Sequence, residues 1–236
     1  LRYDVFVSRL LVACFVVLAG CTTFGASSDT SDGGATPGNT SCAGQHTVCQ
    51  NFDQGPPSPP WSVSNLGTAA TIVSSPVVSP PSSLKAVLDA SQGPTFPLVS
   101  VTLPSPTKHV RCSAQIQIAE VSNTGGAALL RMNDPSGKAF VELDVQATLL
   151  KLDTSSGGGH ELPPAQVGSF AALSVEVSTV APGFMTYSGP GKETQLPLPA
   201  PLVDLTFAEV DFGLPPNGTL PKITAYFDDL SCDVLP

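Results

Sequence analysis

Arg111-Cys112-Ser113-Ala114-Gln115-Ile116-Gln117-Ile118 is the stretch that decides the fold class of this chain. Cys112, Ala114, Ile116 and Ile118 fall on one side of a two-residue repeat, and Arg111, Ser113, Gln115 and Gln117 fall on the other. Successive side chains of a β-strand point to opposite faces, so this alternation describes a strand with one face buried and one in water. The same period recurs outward from it. Val141, Leu143 and Val145 alternate with Glu142, Asp144 and Gln146, and Ala171, Leu173, Val175 and Val177 share one side of a third strand. Phe207, Val210 and Phe212 mark a fourth, with a bulge where the spacing slips by one.

Residues 48–52, 70–74, 84–88, 98–103, 127–132, 148–152, 184–188 and 223–234 also read as strands. Breakers separate them: Gly55-Pro56-Pro57, Asn123-Thr124-Gly125-Gly126, Asp134-Pro135-Ser136-Gly137 and Pro215-Pro216-Asn217-Gly218. Residues 133–137 read as a hairpin turn. After position 42 no long window repeats at helical spacing. About a dozen short strands at this spacing predict two packed antiparallel sheets, an all-β sandwich over residues 42–236. The 24 Pro and 21 Gly suit many short strands joined by tight turns.

The first forty residues follow different rules. Residues 10–19 (LLVACFVVLA) are unbroken apolar sequence after Arg2 and Arg9. Ten residues of helix span roughly 15 Å, about half of a bilayer core, which is the length of a signal-peptide hydrophobic region and too short for a span. Leu18-Ala19-Gly20-Cys21 resembles the lipobox of bacterial lipoproteins. The resemblance implies that residues 1–20 are removed and that the Cys21 thiol carries lipid. It also implies a seat in the cell envelope, with Thr22 in place of Asp pointing to the outer membrane. Residues 21–41 are then the lipidated cysteine and its tether, rich in Gly, Ser and Thr and free of Lys and Arg. Such a segment reaches roughly 25 Å.

Without Arg2, Arg9 and Asp4, 8 of 10 basic and 18 of 19 acidic residues remain, a net charge of −10. That charge excludes nucleic acid and electrostatic attachment to anionic lipid. Cys42, Cys49, Cys112 and Cys232 remain after lipidation, an even count that reads as two disulfides in an exported chain. Cys112 lies on an apolar face, and Cys232 is in register with Leu230 and Val234, so both point inward. Cys49 shares the polar side with Asn51 and Asp53, within reach of Cys42. Strand parity therefore pairs Cys42 with Cys49 and Cys112 with Cys232. No CxxC pair or His cluster supports zinc.

Val48-Cys49-Gln50-Asn51-Phe52-Asp53, Trp61, Ser83-Leu84-Lys85-Ala86-Val87-Leu88 and the closing Ala225-Tyr226-Phe227-Asp228-Asp229-Leu230 resemble the concanavalin A-like lectin/glucanase superfamily. The likeness is closest in style to laminin-G-like jelly rolls. It implies neighbouring first and last strands, and a structural calcium on Asp53, Asp228 and Asp229, hard oxygen ligands of the right type.

Val141-Glu142-Leu143-Asp144-Val145-Gln146 is similar to the E-x-D-x-E strand of laminarinase-like glycosidases in that superfamily. Gln146 stands where the acid/base Glu belongs, and an amide cannot protonate a leaving oxygen. His160-Glu161, beyond Gly157-Gly158-Gly159, reads as a mobile surface loop, and there is no G-x-S-x-G elbow or phosphate loop. The chain therefore reads as a non-catalytic module for binding or adhesion, with a polysaccharide or an envelope protein as partner. Trp61 reads as core and Tyr226 lies in the last strand, which leaves Tyr187 as an exposed platform for a sugar ring; Glu142 and Asp144 are the further ligand-binding candidates. A purely structural or protein-interaction role is the alternative, and a sugar-polymer hydrolase or lyase comes third.

Overall fold

The computed structural model describes Cys42 and residues 45–93, 95–122, 124–147, 149–218 and 221–236. The signal-peptide, lipobox, Cys21 and tether readings lie outside the described residues. In chain order the strands are β1 (Val48–Gln50), β2 (Trp61–Ser64), β3 (Ala70–Val73), β4 (Ser83–Leu88), β5 (Leu98–Thr107), β6 (His109–Val121), β7 (Gly126–Asn133) and β8 (Phe140–Gln146). They continue with β9 (Leu149–Thr154), β10 (His160–Leu162), β11 (Phe170–Ser178), β12 (Phe184–Gly189), β13 (Lys192–Pro197), β14 (Phe207–Gly213), β15 (Pro216–Asn217) and β16 (Ile223–Val234). Among the described residues there is no α-helix, only 3-10 turns at Ala90–Gln92 and Ala200–Leu202.

The strands form two antiparallel sheets of eight. The first runs β13-β12-β11-β6-β16-β4-β3, with β1 also paired to β16; the second runs β10-β9-β8-β7-β14-β5-β2, with β15 paired to β7. The chain is thus the two-sheet sandwich that its alternation predicts. Cys112, Ala114, Ile116 and Ile118 of β6 and Val141, Leu143 and Val145 of β8 are all buried in one apolar cluster between the sheets. β14 carries its bulge between Phe207 and Glu209. Trp61 is core, its ring centroid 6.1 Å from that of Phe212.

The first and last strands are neighbours, with Val48 opposite Cys232. Cys42 is bonded to Cys49, and Cys112 to Cys232. The second bond joins directly opposed residues of β6 and β16, 120 residues apart in sequence, and staples the middle of the first sheet from inside. A crosslink closing so long a loop removes about 4–5 kcal/mol of unfolded-chain entropy in the simplest account.

Two expectations are corrected. His160 and Glu161 do not form a loop but lie in β10, the edge strand of the second sheet, with Glu161 opposite Lys151. Tyr187 is not an exposed platform: it is only 2 % exposed. Its strand, β12, is covered on its outer side by β13, and Tyr187 is paired with the buried Val175, so the ring turns into the sandwich. The edge strands β10 and β13 escaped the sequence pattern because an edge has one neighbour and few buried positions, so it keeps little apolar repeat.

Candidate ligand-binding face of the second sheet

Because Val141, Leu143 and Val145 face the core, Glu142 and Asp144 must face out from the second sheet. An outer-face carboxylate is ordinarily solvated, yet Glu142 is 4 % and Asp144 7 % exposed. The neighbouring strands explain it. Register sets Arg131 of β7 opposite Glu142, and Lys151 and Asp153 of β9 opposite Asp144 and Glu142. β15 pairs with β7 beyond the end of β14, with Asn217 opposite Gly126. Asn217 then reaches over the pair: its Nδ2 donates to Glu142 Oε1 at 3.1 Å and to Asp144 Oδ1 at 2.7 Å.

Arg131 completes the arrangement. Its Nε donates to Glu142 Oε2 at 2.6 Å and its Nη2 to Asn217 Oδ1 at 3.2 Å, while its guanidinium lies 4.6 Å from the centre of the Phe140 ring. Lys151 Nζ donates to Asp153 Oδ2 at 2.6 Å. Glu142, Asp144, Gln146, Lys151, Asp153, Asn217 and Gly126 line a cleft of about 170 Å³. Gly126 keeps one wall low, since a Cβ there would stand 3.0 Å from the Val145 carbonyl oxygen.

The electrostatics follow from burial. Burial, then the Glu142 charge, push the Asp144 carboxyl up to about 7 against the hydrogen bond from Asn217. Burial also raises Glu142, although Arg131 opposes it. The hydrogen bond to Asp153 raises Lys151. At neutral pH the cleft therefore offers the part-protonated Asp144 carboxyl, which both donates and accepts, beside the Gln146 amide and the Lys151 ammonium.

The polar row extends beyond the cleft. Asp153, Glu142, Arg131, Asp211 and Ser100 are directly opposed across β9, β8, β7, β14 and β5. Four interstrand steps make a track of about 19 Å. Asp211 accepts from Asn133 Nδ2 at 2.7 Å and from the Ser100 hydroxyl.

Of the residues singled out from sequence, Glu142 and Asp144 are brought together here, and Tyr187 is not. Arg131, Lys151, Asp153 and Asn217 were missed. Parity within the runs 127–132 and 148–152 places Arg131 and Lys151 on the outer faces, and Asp153 follows one residue past the second run, but only register shows which carboxylates they meet. The glycosidase pair is not assembled: Gln146 occupies the third position, and both Glu142 oxygens are engaged by Arg131 and Asn217.

The expected calcium ligands lie elsewhere, on the bulged part of β16. Asp228 is fully buried; its Oδ2 accepts from Val78 N at 2.9 Å and Ser79 N at 3.0 Å, and the Ser79 hydroxyl donates to Asp228 Oδ1 at 3.0 Å and Asp229 Oδ1 at 2.7 Å. Asp53 Oδ1 accepts from Ser82 N at 3.4 Å. A pocket of N–H and O–H donors suits a carboxylate and repels a cation. Among the described residues no group of three or more His, Cys, Asp or Glu is placed to hold a metal. These residues do not fit calcium; the hydrogen bonds hold the 78–82 segment to the last strand without it.

No protein-family model matches the chain, and no curated protein matches its sequence. Solved structures do resemble it in fold. The cellulose-induced protein Cip1 is 17 % identical with a TM-score of 0.62, over 80 % of this chain and 97 % of that one. The alginate lyase vAL-1 from Chlorella virus is 12 % identical with a TM-score of 0.54, over 70 % of this chain and 89 % of that one. A botulinum neurotoxin type C structure is 14 % identical with a TM-score of 0.53, over 75 % of this chain and 43 % of that one. At these identities the likeness is one of architecture: the chain has the jelly-roll β-sandwich fold that these proteins share.

Proposed function

We propose that residues 42–236 are the non-catalytic binding module of a bacterial envelope lipoprotein, and that the module takes a sugar polymer along the outer face of its second sheet. The observation that carries this reading is the burial of Glu142 and Asp144 in a cleft on an outer sheet face, where carboxylates are ordinarily solvated. Desolvating two carboxylates is unfavourable, and such groups with raised pKa values in a cleft mark a functional site. Adjacent hydroxyls of a pyranose match the Asp144 carboxyl and the neighbouring Gln146 amide, which line the same cleft. The track of about 19 Å suits an extended chain better than one small molecule. Names among the similar folds support the ligand class: one is an alginate lyase, and the neurotoxin structure is described by its interaction with two ganglioside molecules.

Calorimetric titration of the detergent-solubilised full chain with a panel of neutral and acidic polysaccharides tests this. Saturable binding, weakened at least tenfold by Asp144→Ala and unchanged by Thr186→Ala on the other sheet, is the expected result. Silence across the panel, with an envelope protein recovered by crosslinking, would move the module to a protein-interaction role.

The raised Asp144 carboxyl favours one second reading, cleavage of the bound polymer with Asp144 as proton donor. New reducing ends or unsaturated products in the same incubations would establish it. The anchor rests on the Cys21 motif; growth with a clickable palmitate analogue should label the wild-type chain and leave Cys21→Ala unlabelled.

A further inference from the structure

The two sheets part at one edge around a cavity of about 320 Å³, between β6, β11 and β12 of the first sheet, Leu150 of the second, and the segment 163–166. Its walls are apolar: Ile116, Ile118, Leu150, Ala171, Leu173 and Pro163. An apolar cavity of ~150 Å³ is enough to hold a benzene, so this one has room for two fused rings or a chain of about ten to twelve carbons.

Of the polar residues that line it, Tyr187 and Lys192 belong to the β12–β13 hairpin and Gln166 to the segment 163–166. Tyr187 lines the cavity and is 2 % exposed, and none of the hydrogen bonds found among the described residues involves its hydroxyl. A Cβ on Gly189 would collide with that hydroxyl, so it lies at the β12–β13 hairpin, whose Pro190 and Lys192 form the cavity mouth. Lys192 is paired opposite Gly189 and Thr194 opposite Tyr187, so both share the inward side with the tyrosine. Thr194 Oγ1 is buried without a hydrogen-bond partner among the described residues. None of the ion pairs among the described residues includes Lys192. Buried hydroxyls are nearly always hydrogen-bonded in a folded protein, so the unpaired Thr194 hydroxyl, on the same side of the hairpin as Tyr187, is an exception that needs an explanation.

We propose that this cavity is a binding site for an amphipathic carboxylate, a medium-chain fatty acid or an aryl acid, with its apolar body among Ile116, Ile118, Leu150 and Leu173. The carboxylate lies at the mouth, accepting from Tyr187 Oη and paired with Lys192 Nζ. The site is separate from the polar track on the outer face, and sugar binding there neither requires nor excludes it.

Calorimetry of the full chain with dodecanoate, below its micellar concentration, and with dodecanol as the uncharged control, tests the assignment. One-to-one binding of dodecanoate is expected, weakened five- to tenfold by Lys192→Gln and at least threefold by Tyr187→Phe, with dodecanol indifferent to Lys192→Gln. Ala171→Trp should fill the cavity and abolish both. If that variant does not fold, Lys192→Gln decides, because its side chain is exposed and its loss leaves the core intact. No saturable binding, or binding equally unaffected by Lys192→Gln and Tyr187→Phe, overturns the proposal.

Discussion

Two carboxylate clusters sit on opposite outer faces of this sandwich and titrate in opposite directions. On the first sheet Glu176 accepts from His109 Nε2 at 2.8 Å and from Arg111 Nε at 2.7 Å. Burial works to raise its carboxyl, but the hydrogen bonds from His109 and Arg111 outweigh it and hold it below the usual range. On the second sheet burial wins, and Asp144 rises to about 7. Both clusters hold an arginine and both lie on alternating strands. The difference is cover. Arg111 is half exposed, whereas Arg131, Asn217 and the floor of the cleft shut water away from Glu142 and Asp144. A charged group facing outward becomes a candidate site only where neighbouring strands seal it.

The sharpest break of this comparison is an arginine deletion on each face. Arg131→Ala leaves Glu142 buried and unpaired and should destabilise the chain by about 3–5 kcal/mol, while Arg111→Ala removes an exposed pair and should cost less than about 1 kcal/mol. Urea midpoints of the two variants measure the gap; equal losses would mean that the two faces are alike.

The pH dependence comes next. Asp144 titrates near 3.8 when unfolded and at about 7 when folded. Between those values the folded state holds the extra proton, so this residue makes stability fall as pH rises from about 4 to about 7, after which its effect is constant. The full effect has a ceiling of roughly 4 kcal/mol. Asp144→Asn should flatten that slope and raise the urea midpoint at pH 8. Glu176→Gln should do the reverse: its lowered carboxyl contributes stability above the unfolded pKa, lost as pH falls through the folded one.

Asn217→Ala should cost about 1–3 kcal/mol, since two buried carboxylates lose one shared donor. The same variant should raise Asp144 further, read by carbon NMR titration of its carboxyl. The smallest effect belongs to Lys151→Met. Its pair with Asp153 is partly solvated and is worth less than about 1 kcal/mol, and the loss should shrink in high salt.

Much of the fold was legible because strand alternation is a local property. The face assignments of β6, β8, β11 and β14, the bulge after Phe207 and the inward pair Cys112 and Cys232 all follow from neighbours in sequence. Glu142 and Asp144 were legible as outward residues for the same reason. Tyr187 misled because its own strand carries no sign that β13, a polar run of Lys, Glu, Thr and Gln, lies beyond it. Lys192–Pro197 contains one apolar residue, Leu196, among its first five, which is too little to show a strand.

The amino-acid sequence by itself determined that this chain folds as layered sheets and which side of each strand meets the core, since a period of two needs only adjacent residues. Tertiary structure alone decided which outward charges become buried neighbours. Arg131 lies 11 residues from Glu142 and Asn217 lies 75 from it. Their meeting depends on strand register and on a two-residue strand laid past the end of β14. Desolvation and Coulomb interaction act through space, so the proton affinity of Asp144 is a property of the assembled sheet.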